Sequence, residues 1–372
     1  MSMLHDRRTV LSAGVALAAL AVGPVRAAPR RAFEAVLDRE GRDRGGAKGF
    51  RTLAAALDAA PADGTRPFRI LVPAGTWREQ VAVTKPNVHL VGEGRATSVI
   101  VFDEYAAGRN RPGGPAEIAT VTVTASGFRA ERLTIANDFD YPGHMPAEVD
   151  YDRTGASGAQ ATALKLGKGS DRAYFEDVAL TGWQDTLFTD AGRSLFRRCY
   201  VSGCVDFIYG AGRAVFDRCE IRARTRPGKA FHGFIAAPDT DRRQRFGLVF
   251  LDCRLTRDAD MPDHTMALGR PWRHTMTFPD GRYGNPDAVG QAAFVRCWMD
   301  DHIVPEGWYP MHYNLKGGRR AMLEPEDARL FEYASRGPGA GKASKRRRQL
   351  TAAQARAYTI PIVLDGWTGG GA

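Results

Sequence analysis

Three phenylalanines set the scale of this chain. Phe175, Phe196 and Phe216 open the phrases F-E-D-V-A-L, F-R-R-C-Y-V and F-D-R-C-E-I, at spacings of 21 and 20 residues. A repeat of about 20 residues, made of short strands and Gly-rich turns, marks a solenoid. The fold predicted from it is all-β, a right-handed parallel β-helix. In such a coil, residues one winding apart stand about 4.8 Å apart in the strand-pairing direction. Ten residues past each phenylalanine lie Asp185, Asp206 and Arg226. The count therefore sets two carboxylates side by side on one face, with an arginine one winding further on.

Two carboxylates at that distance cannot both ionise cheaply, so one pKa rises and the other group stays charged. The result is one acid and one anion, a division of labour suited to hydrolysis. Gln184 adjoins Asp185, and an amide donor can stabilise a developing oxyanion. Spacing alone leaves two other readings open: a calcium site, or an acidic ladder on a solvated face. The lack of a G-x-S-x-G elbow argues against a serine hydrolase.

The rest of the chain fits one domain, residues 28–372, behind an export signal at residues 1–27. Arg7-Arg8 precede a modestly apolar run, and Val25-Arg26-Ala27 offers a small-residue cleavage site. The paired arginines suggest the twin-arginine route, which places the mature protein in a bacterial periplasm or outside the cell. Loss of Asp6, Arg7, Arg8 and Arg26 takes the net charge from +10 to +8. A basic surface suits an acidic polymer, polyuronate or nucleic acid. The run Lys342 to Arg348 reads as a solvated loop. Cys199, Cys219, Cys253 and Cys297 each follow a phenylalanine by three residues. Stacking makes Cys199–Cys219 the favoured disulfide, with free stacked thiols as the alternative.

Helical spacing over Phe50 to Ala60 predicts a helix covering the open end of the coil. Strands are expected at Phe68–Val72, Gln80–Val83, Val88–Val91, Ser98–Val101, Ala119–Thr124, Arg132–Ile135 and Ala161–Leu166. Residues 28–46 read as irregular, and residues 137–159 as a long loop. Phe128 begins another phrase of the phenylalanine type. The intervals of 34 and 44 residues, from Phe216 to Phe250 and from Phe250 to Phe294, add loops on one side, where binding sites usually sit. Helices around Glu326–Tyr333 and Ala352–Tyr358 are expected outside the coil.

Five short blocks resemble the pectin methylesterases (pectinesterases, a carbohydrate esterase family), most closely the bacterial type. They are Gly75-Thr76-Trp77-Arg78-Glu79, Gln160-Ala161-Thr162-Ala163-Leu164, Gln184-Asp185-Thr186-Leu187, Asp206-Phe207-Ile208-Tyr209-Gly210 and Leu268-Gly269-Arg270-Pro271-Trp272. They occur in the family's order; Trp77 stands where tyrosine is usual, and Tyr209 where phenylalanine is commoner. The resemblance implies hydrolysis of the C6 methyl ester of galacturonate units. Asp206 would be the nucleophile, held ionised and oriented by Arg270. Asp185 would be acid and then base, with Gln184 and Gln160 donating to the oxyanion. Trp272, Tyr209, Arg226 and Thr120 would contact the polymer. It implies no metal or organic cofactor. The partner would be methylated pectin, with neither nucleic acid nor membrane, and the protein a monomer. Other readings are a β-helix lyase or glycosidase on polyuronate, a binding module without chemistry, or an esterase for other acyl groups such as thioesters.

Overall fold

The computed structural model describes residues 33–109, 117–144 and 158–370. The expected export signal, and most of the 137–159 loop, lie outside the described residues. Three parallel sheets, of 11, 8 and 7 strands, run along the coil, and a complete winding contributes one strand to each. The expected parallel β-helix is what the sequence folds into. Arg193–Arg197, Tyr200–Gly203 and Val205–Gly210 form one such winding. Two antiparallel hairpins, Thr275–Phe278 with Gly281–Gly284 and Met311–Asn314 with Arg320–Leu323, stand apart from the three sheets.

The phenylalanine phrases fix the register. Phe175 pairs with Phe196, Phe196 with Phe216, Phe216 with Phe250, and Phe250 with Phe294. Their rings stack with centroids 4.5, 4.7, 4.7 and 4.2 Å apart, forming a continuous fully buried column. Two residues past each ring the backbone turns left-handed, at Asp177, Arg198, Arg218, Asp252 and Arg296, with φ between 52° and 57°. That turn swings the chain from the first sheet into the second. The same rule corrects the Phe128 phrase. Phe175 pairs with Ala130, and the left-handed residue is Arg132, so the phrase begins two residues later than its phenylalanine suggests.

The cysteines do not form the expected Cys199–Cys219 bridge; all five are free and buried. Equivalent positions in an in-register parallel ladder project their side chains side by side, whereas a disulfide needs converging Cβ vectors. The thiols of Cys199, Cys219, Cys253 and Cys297 instead donate to the carbonyls of Phe175, Phe196, Phe216 and Phe250, at 3.5, 3.3, 3.2 and 3.6 Å. Burial pushes the thiols of Cys219, Cys253 and Cys297 well above the ordinary range.

The ends are closed by different devices. At the N-terminal end the helix is Leu53–Asp58, shorter than expected because Lys48–Phe50 pairs as a strand with Ala35–Leu37. Thr52 caps it, and Glu79 accepts from the amides of Leu53 and Ala54 at 2.7 and 3.1 Å. Leu53, Ala56 and Leu57 face the coil interior. Gly75–Arg78, not anticipated as a strand, opens the second sheet. At the other end the expected helix over Glu326–Tyr333 is a 3-10 turn, Pro325–Asp327, followed by the strand Arg329–Tyr333. The strand wins because Leu330 and Glu332 alternate inward to close the first sheet.

The helix expected around Ala352–Tyr358 is Ala352–Ala355; it packs outside the coil, joined there by a helix the sequence reading did not anticipate, Ile360–Val363. Ala355, Tyr358, Val363 and Leu364 cover Tyr174, Leu195, Val215, Val249 and Ala293. Those five residues form one row, each paired with the next. The row points outward where the phenylalanines point in. The basic run 342–348 is not simply solvated. Arg347 is fully buried, forked onto Glu332 at 2.7 and 3.1 Å, and donates to the carbonyls of Val304, Pro305 and Gly339. Burial raises the pKa of Glu332, with Arg347 opposing the shift.

Candidate active site

Parallel pairing brings Asp185 beside Asp206. Leu187 is opposite Ile208, and the amide of Asp185 donates to the Val205 carbonyl at 3.1 Å. Both aspartates have left-handed backbones, with φ of 61° and 49°. Non-glycine residues hold that conformation at a cost of about 1–3 kcal/mol, and such strain gathers at functional sites. The strand Val205–Gly210 also slips register against Gly233–Pro238: Val205 faces Phe234, but Ile208 faces Ala236. Three steps on one strand oppose two on the other, a bulge that re-aims the side chain of Asp206.

That bulge and the long interval before Phe250 displace Arg226 from the winding above Asp206. Arg226 lies in the loop before Gly233–Pro238, buried, with its amide donating to His232 Nδ1 at 3.0 Å. The cation that meets Asp206 is Arg270, just past the strand Met266–Gly269. Its Nε and Nη2 reach the two Asp206 oxygens at 3.0 and 2.7 Å, both side chains being buried. A two-point charged fork of this kind fixes orientation as well as charge. The guanidinium also lies over the Phe234 ring, 4.0 Å from its centroid. Gly269 is required beside it, since a Cβ there would meet the Ala236 carbonyl oxygen at 2.1 Å.

Asp185 has no such fork. Burial, then the charge of Asp206, raises its pKa well above the usual carboxylate range, while Arg270 and a hydrogen bond from Gln184 oppose the shift. Of the two carboxyls, Asp185 is the one whose proton affinity the surroundings raise. Gln184 is buried. The Ala161 amide donates to its carbonyl at 3.1 Å, which sets half-buried Gln160 in the neighbouring winding.

Aromatic rings build one wall. Tyr209 stacks on Phe188 at 4.3 Å, and Trp272 meets them edge-on at 5.7 and 6.3 Å. Burial and nearby Asp185 push the Tyr209 phenol well up. His274 lies against Trp272, with ring centroids 5.9 Å apart, and its Nδ1 contacts Asp239. Thr120 does not join the wall: it is fully buried and donates its hydroxyl to the Ala136 carbonyl at 2.7 Å. Phe188, Phe234, Asp239 and His274 escaped the sequence reading. Only Phe188 left a trace there, one winding before Tyr209. Among the described residues, no three or more His, Cys, Asp or Glu side chains gather in a way that could hold a metal ion.

The pectinesterase family model matches residues 43–366. Pectinesterase A of Dickeya dadantii is 42% identical over 344 residues, covering 90% of this chain and 92% of the relative. This chain is a member of the pectinesterase family. Pectinesterases are carboxylic ester hydrolases, and the chain is an enzyme of that class. A crystal structure of a pectin methylesterase in complex with a hexasaccharide superposes with a TM-score of 0.84 at 42% identity, covering 92% of this chain and 99% of the other. The pectin methylesterase of Yersinia enterocolitica gives a TM-score of 0.79 at 42% identity, covering 86% of this pectinesterase and 99% of the other chain.

Proposed function

We propose that this pectinesterase removes the C6 methyl group from galacturonate units of methylated pectin, with Asp206 as nucleophile and Asp185 as acid and base. The observation that carries the assignment is the unequal pair. Asp206 is gripped by Arg270, and beside it stands a carboxyl whose pKa is raised.

A carboxylate oxygen of Asp206 attacks the ester carbonyl carbon. The tetrahedral oxyanion takes hydrogen bonds from Gln184 and Gln160, each such donor worth about 3 kcal/mol of barrier. Collapse breaks the bond to the methoxy group, which leaves as methanol with the proton from Asp185. The anhydride on Asp206 is then attacked by water. Asp185, now a carboxylate, takes the water's proton and so returns to its starting state. The products are methanol, a galacturonic carboxyl that releases its proton to solvent, and unchanged enzyme. Trp272 and Tyr209 would offer ring faces to the sugars.

The relative with a bound hexasaccharide supports a sugar polymer as the ligand. Residues 1–27 would export the protein, leaving residues 28–372 as the mature, single-domain enzyme; the N-terminal sequence of the secreted form checks this. Methanol release from highly methylated pectin, at unchanged polymer length and in the presence of a chelator, tests the reaction. Shortening of the polymer, or loss of activity to the chelator, would put a lyase or glycosidase in its place.

A further inference from the structure

The turn that carries Gln184 and Asp185 is held by three outside donors. Ala161 N donates to Gln184 O at 3.1 Å, Cys204 N to Trp183 O at 2.8 Å, and Arg224 Nη1 to Gly182 O at 2.8 Å. The first two are backbone ladder bonds that any sequence would make. The third belongs to a side chain. Arg224 N donates to Gly203 O at 2.8 Å, so Arg224 stands two windings beyond Trp183. Its side chain returns along the stack, and its guanidinium lies over the Trp183 ring, 3.5 Å from the centroid. Tyr141 stacks near Trp183 at 5.5 Å with an interplanar angle of 10°. None of the ion pairs seen among the described residues uses Arg224, so its bonds there are to a carbonyl and a ring.

We infer that Arg224 is a positioning residue, which locks the 182–185 turn and so sets where Gln184 and Asp185 stand relative to Asp206. A planar fork can stack and donate at once, which an ammonium cannot. Asp185 lies in a left-handed conformation at the end of this turn, where release of the clamp relaxes the backbone and admits water. The groups around Asp185 are Asp206, Arg270, Gln184 and Tyr209; Arg224 acts on it only through the turn. The inference rests on the proposed chemistry for its kinetic readout, but not for its spectroscopic one.

The test compares full-length mature wild type with Arg224→Ala, Arg224→Lys and Trp183→Phe on methylated pectin. A displacement of about 1 Å costs on the order of 100-fold in rate, so Arg224→Ala should lose about 10- to 100-fold in kcat with KM nearly unchanged. Its alkaline limb should move to lower pH as water reaches Asp185. Arg224→Lys should fall between Ala and wild type, and the tryptophan fluorescence of both should change when the ring loses its stacked guanidinium. A folded Arg224→Ala variant with wild-type kcat and pH profile overturns the inference, as does a loss confined to KM. If Arg224→Ala does not fold, an Arg224→Lys variant with wild-type kcat and pH profile does the same. Wild type that releases no methanol refutes the proposed function instead, and unchanged fluorescence in both variants would then refute the clamp independently.

Discussion

On the windings that begin at Phe175 and Phe196, the ring column and the carboxylate pair are cut from the same chain, ten residues apart. The ring side keeps strict register through five windings. The carboxylate side breaks it, with a bulge after Val205 and two left-handed aspartates. One face repeats because stacking identical rings and thiols stabilises every copy alike. The other departs from the repeat because its side chains must meet at one point and bear different charges. In this solenoid, stability follows the period and chemistry follows the exceptions to it.

The contrast can be broken by substitution. Asp206→Asn should remove activity by at least about 10⁴-fold, as loss of a nucleophile does, while the thermal midpoint stays close to wild type. A large drop in midpoint would mean that the pair is structural. Phe216→Ala, on the ring side, should cost about 3–5 kcal/mol in stability, read by urea unfolding, with kcat of the remaining folded enzyme unchanged. Gln184→Ala should lower kcat about 10²- to 10³-fold with little effect on unfolding.

Smaller effects sharpen the same line. His89 and His302 are held neutral by burial, their pKa values lowered from 6.5 to about 4. The unfolded chain binds their protons first, so their contribution to stability is complete above pH 6.5 and is lost as pH falls towards 4. Unfolding midpoints across that window should fall, and less steeply in a His302→Gln variant. Activity should fall in the opposite direction, as rising pH strips the proton from Asp185. Cys219→Ala should be the mildest, about 1 kcal/mol, since it removes only a small buried group and one weak donor.

What the residues disclosed follows the same division. The phenylalanine phrases revealed winding length, register and the Asp185–Asp206 contact, because identical side chains on identical turns are a direct record of stacking. Arg226 was misplaced because the count assumes that every winding keeps its length, and nothing in T-R-P-G-K-A announces where the chain leaves the coil. The charged run at 342–348 read as solvated because burial of Arg347 depends on Glu332 and three carbonyls brought from elsewhere. Phe234 under Arg270 was invisible for the same reason: its role exists only once two windings lie one above the other. Cys199, Cys219, Cys253 and Cys297 showed their stacking plainly, yet stacking is what holds them apart as thiols.

The strap formed by the last residues touches five successive windings through one outward row, from Tyr174 to Ala293. It therefore acts as a caliper. Duplicating a 20-residue unit, the ordinary way for a solenoid to lengthen, would shift half of that row about 4.8 Å from its cover. The coil's length is thus set by a segment that is itself no part of the coil, and growth of this enzyme is confined to its loops.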